Sequence, residues 1–394
     1  MLAFAFATAC LASGAGTPSP DERKALTTGF FAQLRTFADR DGITNHVGNG
    51  LEVTIRELAL DPGKGDLTSS STLDLEESPP FRELFASWNI ETPAGTGFGI
   101  EVRVGEKRDG PLSPWLWLGD WGEIPAVEKL RKCDAGHIDV DTFVSDHDLG
   151  VWQLRIRDFR ADDGKEPLRV RRIDVCIANR TLTKSDAWHT RPEAEWQRVL
   201  NTGCTMPPPS GPRLPGGPVI PFRSQRDEEA SIASRICSPT SVAMLLAHRG
   251  VDVPTAQVAA RLYDAEHAMY GNWSRAVQGA FSFGVPGYLT RIATWDEAER
   301  LVLGQSQPLV ISIAAKKGEL TGAPYAKTDG HLLVLRGFDT NGDVFVNDPA
   351  AQDAEHGVTK YCRAELERCW MGHGGVAYVL LPRAKAAESA DKPR

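Results

Sequence analysis

The chain has 394 residues, with 44 Lys plus Arg against 52 Asp plus Glu, a formal net charge of −8. That acidic balance argues against a nucleic-acid protein, whose phosphate partners call for a basic surface. A composition of 41% hydrophobic and 24% charged residues is that of a globular protein and excludes disorder as the main theme. Beyond the first fifteen or so residues, no run of eighteen apolar positions offers a membrane-spanning helix.

The chain opens on MLAFAFATACLASGAG, an apolar run followed by small residues. This resembles the core and cleavage zone of a secretory signal, so residues 1–20 are expected to be a signal peptide and the mature chain secreted or periplasmic. No Lys or Arg follows Met1 directly. Ala7-Thr8-Ala9-Cys10 also resembles a lipobox, which leaves a lipid anchor through Cys10 as an alternative, and a retained cytoplasmic N-terminus as a third. Residues 20–50 are open to reading as an inhibitory pro-region.

Residues 25–200 show two-residue alternation: FRELFASWNI (81–90), FGIEVRVG (98–105), PWLWLGDW (114–121), VWQLRIRDF (151–159) and LRVRRIDVCIA (168–178). Short alternating strands broken by Gly, Pro and Asp clusters predict an antiparallel β-sandwich, jelly-roll-like, as an accessory domain. Half of the ten tryptophans fall in these five alternating stretches: Trp88, Trp115, Trp117, Trp121 and Trp152. An exposed platform of them would suit a glycan or cell-wall ligand, but Trp alternating with polar residues is the ordinary filling of a sheet core, and that reading is preferred. In an exported chain some cysteines bridge. Cys133 and Cys176 share this segment, so a Cys133–Cys176 disulfide is expected.

From 201 to 224 the composition changes, with seven prolines between Pro207 and Pro221. This predicts a semi-rigid linker holding two independently folded cores apart.

Residues 225–383 alternate helix and strand. Helices are expected over 238–248, 255–263, 274–283 and 297–304, then a strand over 308–314. HLLVLRGF-DTNG-DVFVND follows as a hairpin around Asn341-Gly342. KYCRAELERCW reads as a helix, in which Cys362 and Cys369 lie about 10 Å apart along the axis, so that they pair only if that helix is broken. The tail, 384–394, is small and charged and is expected to be disordered.

Three residues in this second domain have the chemistry of cysteine catalysis, which needs a thiolate, a base and an orienting group. Cys237 precedes a helix, where unpaired N–H groups and the dipole favour a thiolate. His331 follows 94 residues later and Asp348 17 after that. With a two-residue turn, paired residue numbers in the hairpin sum to 681 or 683. Either sum puts His331 and Asp348 on one face, and at 681 they are diagonal neighbours at roughly 7–8 Å between Cα atoms.

Ile236-Cys237-Ser238-Pro239-Thr240-Ser241, Tyr270-Gly271-Asn272-Trp273, Gly330-His331-Leu332-Leu333-Val334 and Val346-Asn347-Asp348-Pro349-Ala350 resemble the bacteriocin-processing type of papain-clan cysteine peptidase, in its exported, stand-alone subgroup. The resemblance covers about 225–382 and implies a papain-like α+β domain. It also implies Cys237 as nucleophile, His331 as base and acid, and Asp348 as orienter. The family expects an oxyanion-donating Gln a few residues before the Cys. Here the nearest is Gln225, twelve residues upstream. Asn272 and Trp273 either line the cleft or pack, and packing is preferred for Trp273.

Overall the chain reads as α+β, a secreted cysteine peptidase acting on a peptide or protein substrate. No metal, cofactor, nucleic-acid partner or membrane span is called for. The rivals are a cell-wall peptidoglycan amidase with the same core, and a non-enzymatic surface or glycan binder on a degenerate peptidase scaffold.

Overall fold

The computed structural model describes residues 31–38, 68–73, 75–160, 168–180 and 219–383. The expected signal or lipid anchor, the Pro-rich linker up to 218, the tail, and most of the suggested pro-region lie outside these residues.

The N-terminal region is antiparallel throughout. Its strands are β1 (Phe31–Ala38), β2 (Thr68–Thr72), β3 (Glu76–Glu91), β4 (Thr96–Gly105), β5 (Leu116–Gly122), β6 (Lys132–Cys133), β7 (Gly136–Asp139), β8 (Thr142–Arg160) and β9 (Arg169–Asn179). They form one hydrogen-bonded sheet, ordered β1-β9-β3-β8-β4-β5, with β2 and β7 also on β8. The long strands β3 and β8 carry the sheet around a bend, because their mutual register slips twice, between Glu77, Phe81 and Glu83. The two limbs face each other over a shared core: Trp88 of β3 meets Phe98 of β4 edge-on at 6.1 Å and leaves no room for a side chain at Gly119 of β5. Of the five tryptophans, Trp88, Trp117, Trp121 and Trp152 are buried. Trp115 is half-buried between the guanidinium groups of Arg103 and Arg155.

The expected Cys133–Cys176 disulfide is absent, since both thiols are free. Strand alternation explains this. In β9, Ile173, Val175 and Ile177 face the N-terminal core with Cys133, whereas Cys176 points from the opposite face into the C-terminal core. Among the described cysteines, Cys362 is held in a disulfide, whereas Cys369, seven residues on, is free.

The C-terminal region begins with helices α1 (Cys237–His248), α2 (Thr255–Leu262) and α3 (Trp273–Ser282). They are followed by β10 (Gly287–Arg291), α4 (Trp295–Glu299) running into a π turn, β11 (Leu309–Ala315), β12 (Thr328–Phe338) and β13 (Val344–Asn347). The short α5 (Ala354–Gly357), β14 (Val358–Tyr361), α6 (Arg363–Trp370) and β15 (Val376–Leu380) complete it. The six strands form an antiparallel sheet ordered β10-β15-β11-β12-β13-β14, and α1 packs against β12. A helix starting at Cys237 laid on an antiparallel sheet is the mixed α+β arrangement that the sequence implied.

The two regions do not stand apart. Phe85, Ser87 and Asn89, alternate residues of β3, are buried against the second region. Phe85 enters the C-terminal core with Leu34 and Cys176. Asn89 acts as a surrogate peptide group, donating to Gly287 O at 3.0 Å and accepting from Gly287 N at 2.9 Å. Gln278 does the same in return with Ile90 N and O. Ser87 accepts from Leu289 N, and Ser274 donates to Ala86 O. Asp141, between β7 and β8, accepts the Trp273 and Ser274 amides at the start of α3, so one region caps a helix of the other. Arg291 reaches Glu83 at 2.5 Å. These are buried, mutually satisfied polar contacts, the signature of a joint core rather than of two bodies on a tether.

Candidate active site

Helix α1 starts at Cys237 with Ile236 before it and no side-chain cap, which leaves first-turn donors for other partners. Pro239 fits there because a first-turn residue needs no N–H acceptor. The helix start is pinned to the sheet: Ser241 Oγ donates to Leu332 O at 3.1 Å, and Ser238 Oγ meets Tyr378 Oη at 3.3 Å. These contacts set Cys237 beside the residue following His331.

The hairpin that delivers His331 and Asp348 differs in detail from expectation. Its turn is a three-residue loop, Thr340 to Gly342, with Gly342 at φ +85° and Asp339 pairing with Asp343. That gives a sum of 682 at Phe338↔Val344, the wrong parity for a shared face. An extra residue in β12, Arg336, shifts the sum back to 681 at Leu335↔Val346 and Val334↔Asn347. The bulge therefore restores His331 and Asp348 to one face, and His331 Nε2 donates to Asp348 Oδ1 at 2.8 Å.

Asp348 is fully buried, and its oxygens are saturated. Oδ1 also accepts from Ala350 N at 3.0 Å, and Oδ2 accepts from Tyr361 Oη at 2.7 Å and Tyr325 Oη at 3.1 Å. Burial pushes the carboxyl up, but the charge and hydrogen bond of His331, with the Tyr361 and Ala350 donors, bring it below the usual carboxylate range. Burial lowers His331, yet Asp348 first and the Cys237 sulfur second raise it to about 10. Burial raises the Cys237 thiol, but the His331 hydrogen bond and charge and the Leu332 and Ser238 amides outweigh it, and the thiol lies below its ordinary value. Each shift favours a thiolate beside an imidazolium over a neutral thiol beside a neutral imidazole.

Gln225 is brought back toward this cluster despite its distance in sequence. Its N–H donates to Pro349 O at 2.8 Å, while Ser224 Oγ and Arg226 Nε donate to Ala351 O and Ala350 O. The eleven intervening residues are an excursion, bridged by Gln225 Nε2 donating to Ala233 O at 2.8 Å. Asn272 and Trp273 have structural partners. Asn272 caps α3 through Arg275 N and donates to Asp264. Trp273 sets its ring edge-on to Phe85 at 6.1 Å, stapling the helix to the N-terminal sheet. Tyr325 and Tyr361 escaped the sequence reading; a Tyr in a loop or at a strand end carries no motif, and only the tertiary fold turns it to Asp348. No group of three or more His, Cys, Asp or Glu positioned to hold a metal occurs among the described residues.

Residues 219–378 match the Peptidase C39 like family, and residues 52–178 match the Peptidase C39 N-terminal domain. The C-terminal region is a peptidase C39-like domain. Membership points to a cysteine peptidase, in line with the motifs around Cys237, His331 and Asp348. Among solved structures, a double glycine motif protease from an AMS/PCAT transporter, in complex with its leader peptide, is 22% identical. The match covers 43% of this chain and 97% of that one, with a TM-score of 0.30. An infectious bursal disease virus structure, Gt strain, is 8% identical over 43% of this chain and 53% of that one, with a TM-score of 0.17. Scores this low carry no weight in placing the C39-like domain. No curated protein matches the chain. No helix among the described residues is long and apolar enough to cross a membrane, which says nothing of β-barrels.

Proposed function

We propose that the chain is an exported cysteine peptidase that hydrolyses peptide bonds through Cys237, His331 and Asp348. The observation that carries this reading is the chain of contacts from the Cys237 sulfur to His331 and from His331 Nε2 to Asp348 Oδ1 at 2.8 Å. The thiolate adds to the scissile carbonyl, forming the S–C bond. As the C–N bond breaks, the imidazolium gives its proton to the leaving amine. The resulting thioester is then attacked by water, whose proton returns to the imidazole, releasing the carboxylic acid and the thiolate. The oxyanion is held by the backbone N–H of Cys237 and by the second amide hydrogen of Gln225. The return of Gln225 to the Asp348 segment supports the peptidase reading over a non-enzymatic scaffold. Export is supported by the signal-like N-terminus and by the disulfide at Cys362, which suits an oxidising compartment.

The test is hydrolysis of an unfolded protein substrate by the full chain. Cys237→Ala and His331→Ala should each abolish turnover with unchanged circular dichroism. Full activity in folded Cys237→Ala would refute the mechanism.

A further inference from the structure

The connection between β11 and β12, residues 316–327, is tethered midway: Thr321 donates through N–H and Oγ1 to both carboxylate oxygens of Glu365 on α6, at 2.8 and 2.9 Å. Beyond the tether the chain brings Tyr325 onto the site. Its ring meets the His331 imidazole edge-to-face, with centroids 4.8 Å apart and planes at 62°, while its hydroxyl reaches Asp348 Oδ2. Tyr361, the last residue of β14, donates to the same oxygen at 2.7 Å. Asp348 thus has two donors on each oxygen, and rotation of its carboxylate would break all four bonds.

We propose that Tyr325 and Tyr361 are positioning residues, a pair of hydroxyls that locks the Asp348 carboxylate in one rotation. In this scheme the Tyr325 ring also fixes the plane of His331. The proposal rests on the peptidase reading and deepens it. Burial, then the charge of Asp348, holds both phenols well above their ordinary range, so they remain donors at any working pH. Besides Asp348, the titratable groups facing the pair are His331 from β12, against the Tyr325 ring, and Cys369 from α6 near Tyr325. Burial keeps Cys369 neutral, pushed up to about 12.

An Oδ2 stripped of both donors, in a position closed to water, makes the carboxylate costly to keep charged. The His331–Asp348 pair then relaxes toward neutral acid and neutral imidazole, and the Cys237 thiolate loses its counter-charge. The acid limb of Cys237 reactivity must therefore move to higher pH.

The experiment uses the full chain with Tyr325→Phe, Tyr361→Phe, the double variant and Tyr325→Leu. It measures the rate of Cys237 alkylation by iodoacetamide against pH, corrected with Cys237→Ala, alongside kcat and KM on a peptide. The double variant should shift the alkylation limb up by one pH unit or more and lower kcat at least tenfold, with KM changed less than twofold. Tyr325→Phe should retain more kcat than Tyr325→Leu, because the Phe ring still braces His331. A wild-type profile and kcat in the folded double variant would overturn the clamp alone. An ordinary thiol profile in the wild-type protein would overturn the peptidase reading and the clamp together. Should the double variant misfold, Tyr361→Phe decides by the same criteria.

Discussion

Cys176 and Cys237 are both cysteines set close to a cation, one at the seam between the two regions and the other at the start of α1. Their outcomes are opposite. Cys176 is pushed up to about 12 by burial, which the neighbouring Arg291 opposes without overcoming. Arg291 is already committed to Glu83 and to Gly374 O, so its charge is shared. At Cys237 the imidazolium of His331 bonds the sulfur directly, two backbone amides add to it, and the counter-charge of Asp348 lies on the far side of the ring. A positive charge nearby is therefore not what makes a reactive thiol. What matters is a proton donor whose other face is held by a carboxylate, at a helix start with unpaired amides.

The seam offers the strongest way to break this contrast. If its polar contacts form one joint core, a fragment from Phe222 onward should not fold. It would uncover Gly287, the partner of Asn89, Gln278 itself, and the pockets for Phe85 and Leu34. The expected result is an insoluble or molten fragment. A soluble, cooperatively melting, active one would show two independent cores. At the cleft, removing the thiol or the base should cost at least about 10³-fold in kcat/KM. Asp348→Asn should cost about 10- to 100-fold. Its amide oxygen can take the Oδ1 place toward His331 and Ala350, while the Tyr325 and Tyr361 hydroxyls turn to accept from the new NH₂.

A smaller effect separates stability from chemistry. Asn89→Leu leaves the Gly287 N–H and C=O buried and unpaired, a loss of about 2–4 kcal/mol. The melting temperature should fall while kcat of the folded protein is unchanged. A fall in kcat would couple the seam to the cleft.

Smallest in effect is the pH dependence. A thiol lowered from its usual value and an imidazole raised to about 10 predict a broad plateau of kcat/KM. Its alkaline limb falls as His331 loses its proton near pH 10. The same raised value means that His331 adds to folding stability fully below about pH 6.5 and that this contribution is lost as pH rises through about 10. An alkaline limb near pH 7 would contradict an imidazolium held by Asp348.

The cluster of Cys237, His331 and Asp348 was legible in the sequence because each signal for it is local. A Cys before a helix and a His and Asp across a hairpin can be read from periodicity and turn chemistry. The register survived for a reason the turn did not supply, since the three-residue loop alone would have put Asp348 on the wrong face and Arg336 corrected it. What escaped was long-range. Ser87 and Asn89 are polar at alternate positions, the pattern of a solvent face, yet they are fully buried, which is why the linker suggested separable domains. The same blindness paired Cys133 with Cys176, because residue spacing does not show which face of β9 meets a second core.

The most direct measurement is differential alkylation of the native chain at pH 7, followed by peptide mapping. Cys237 should label at least tenfold faster than Cys133, while Cys176 and Cys369 react only after denaturation. Cys237 found in a stable disulfide, or labelled only once the chain is unfolded, would contradict the claim that His331 and Asp348 hold it as an activated nucleophile.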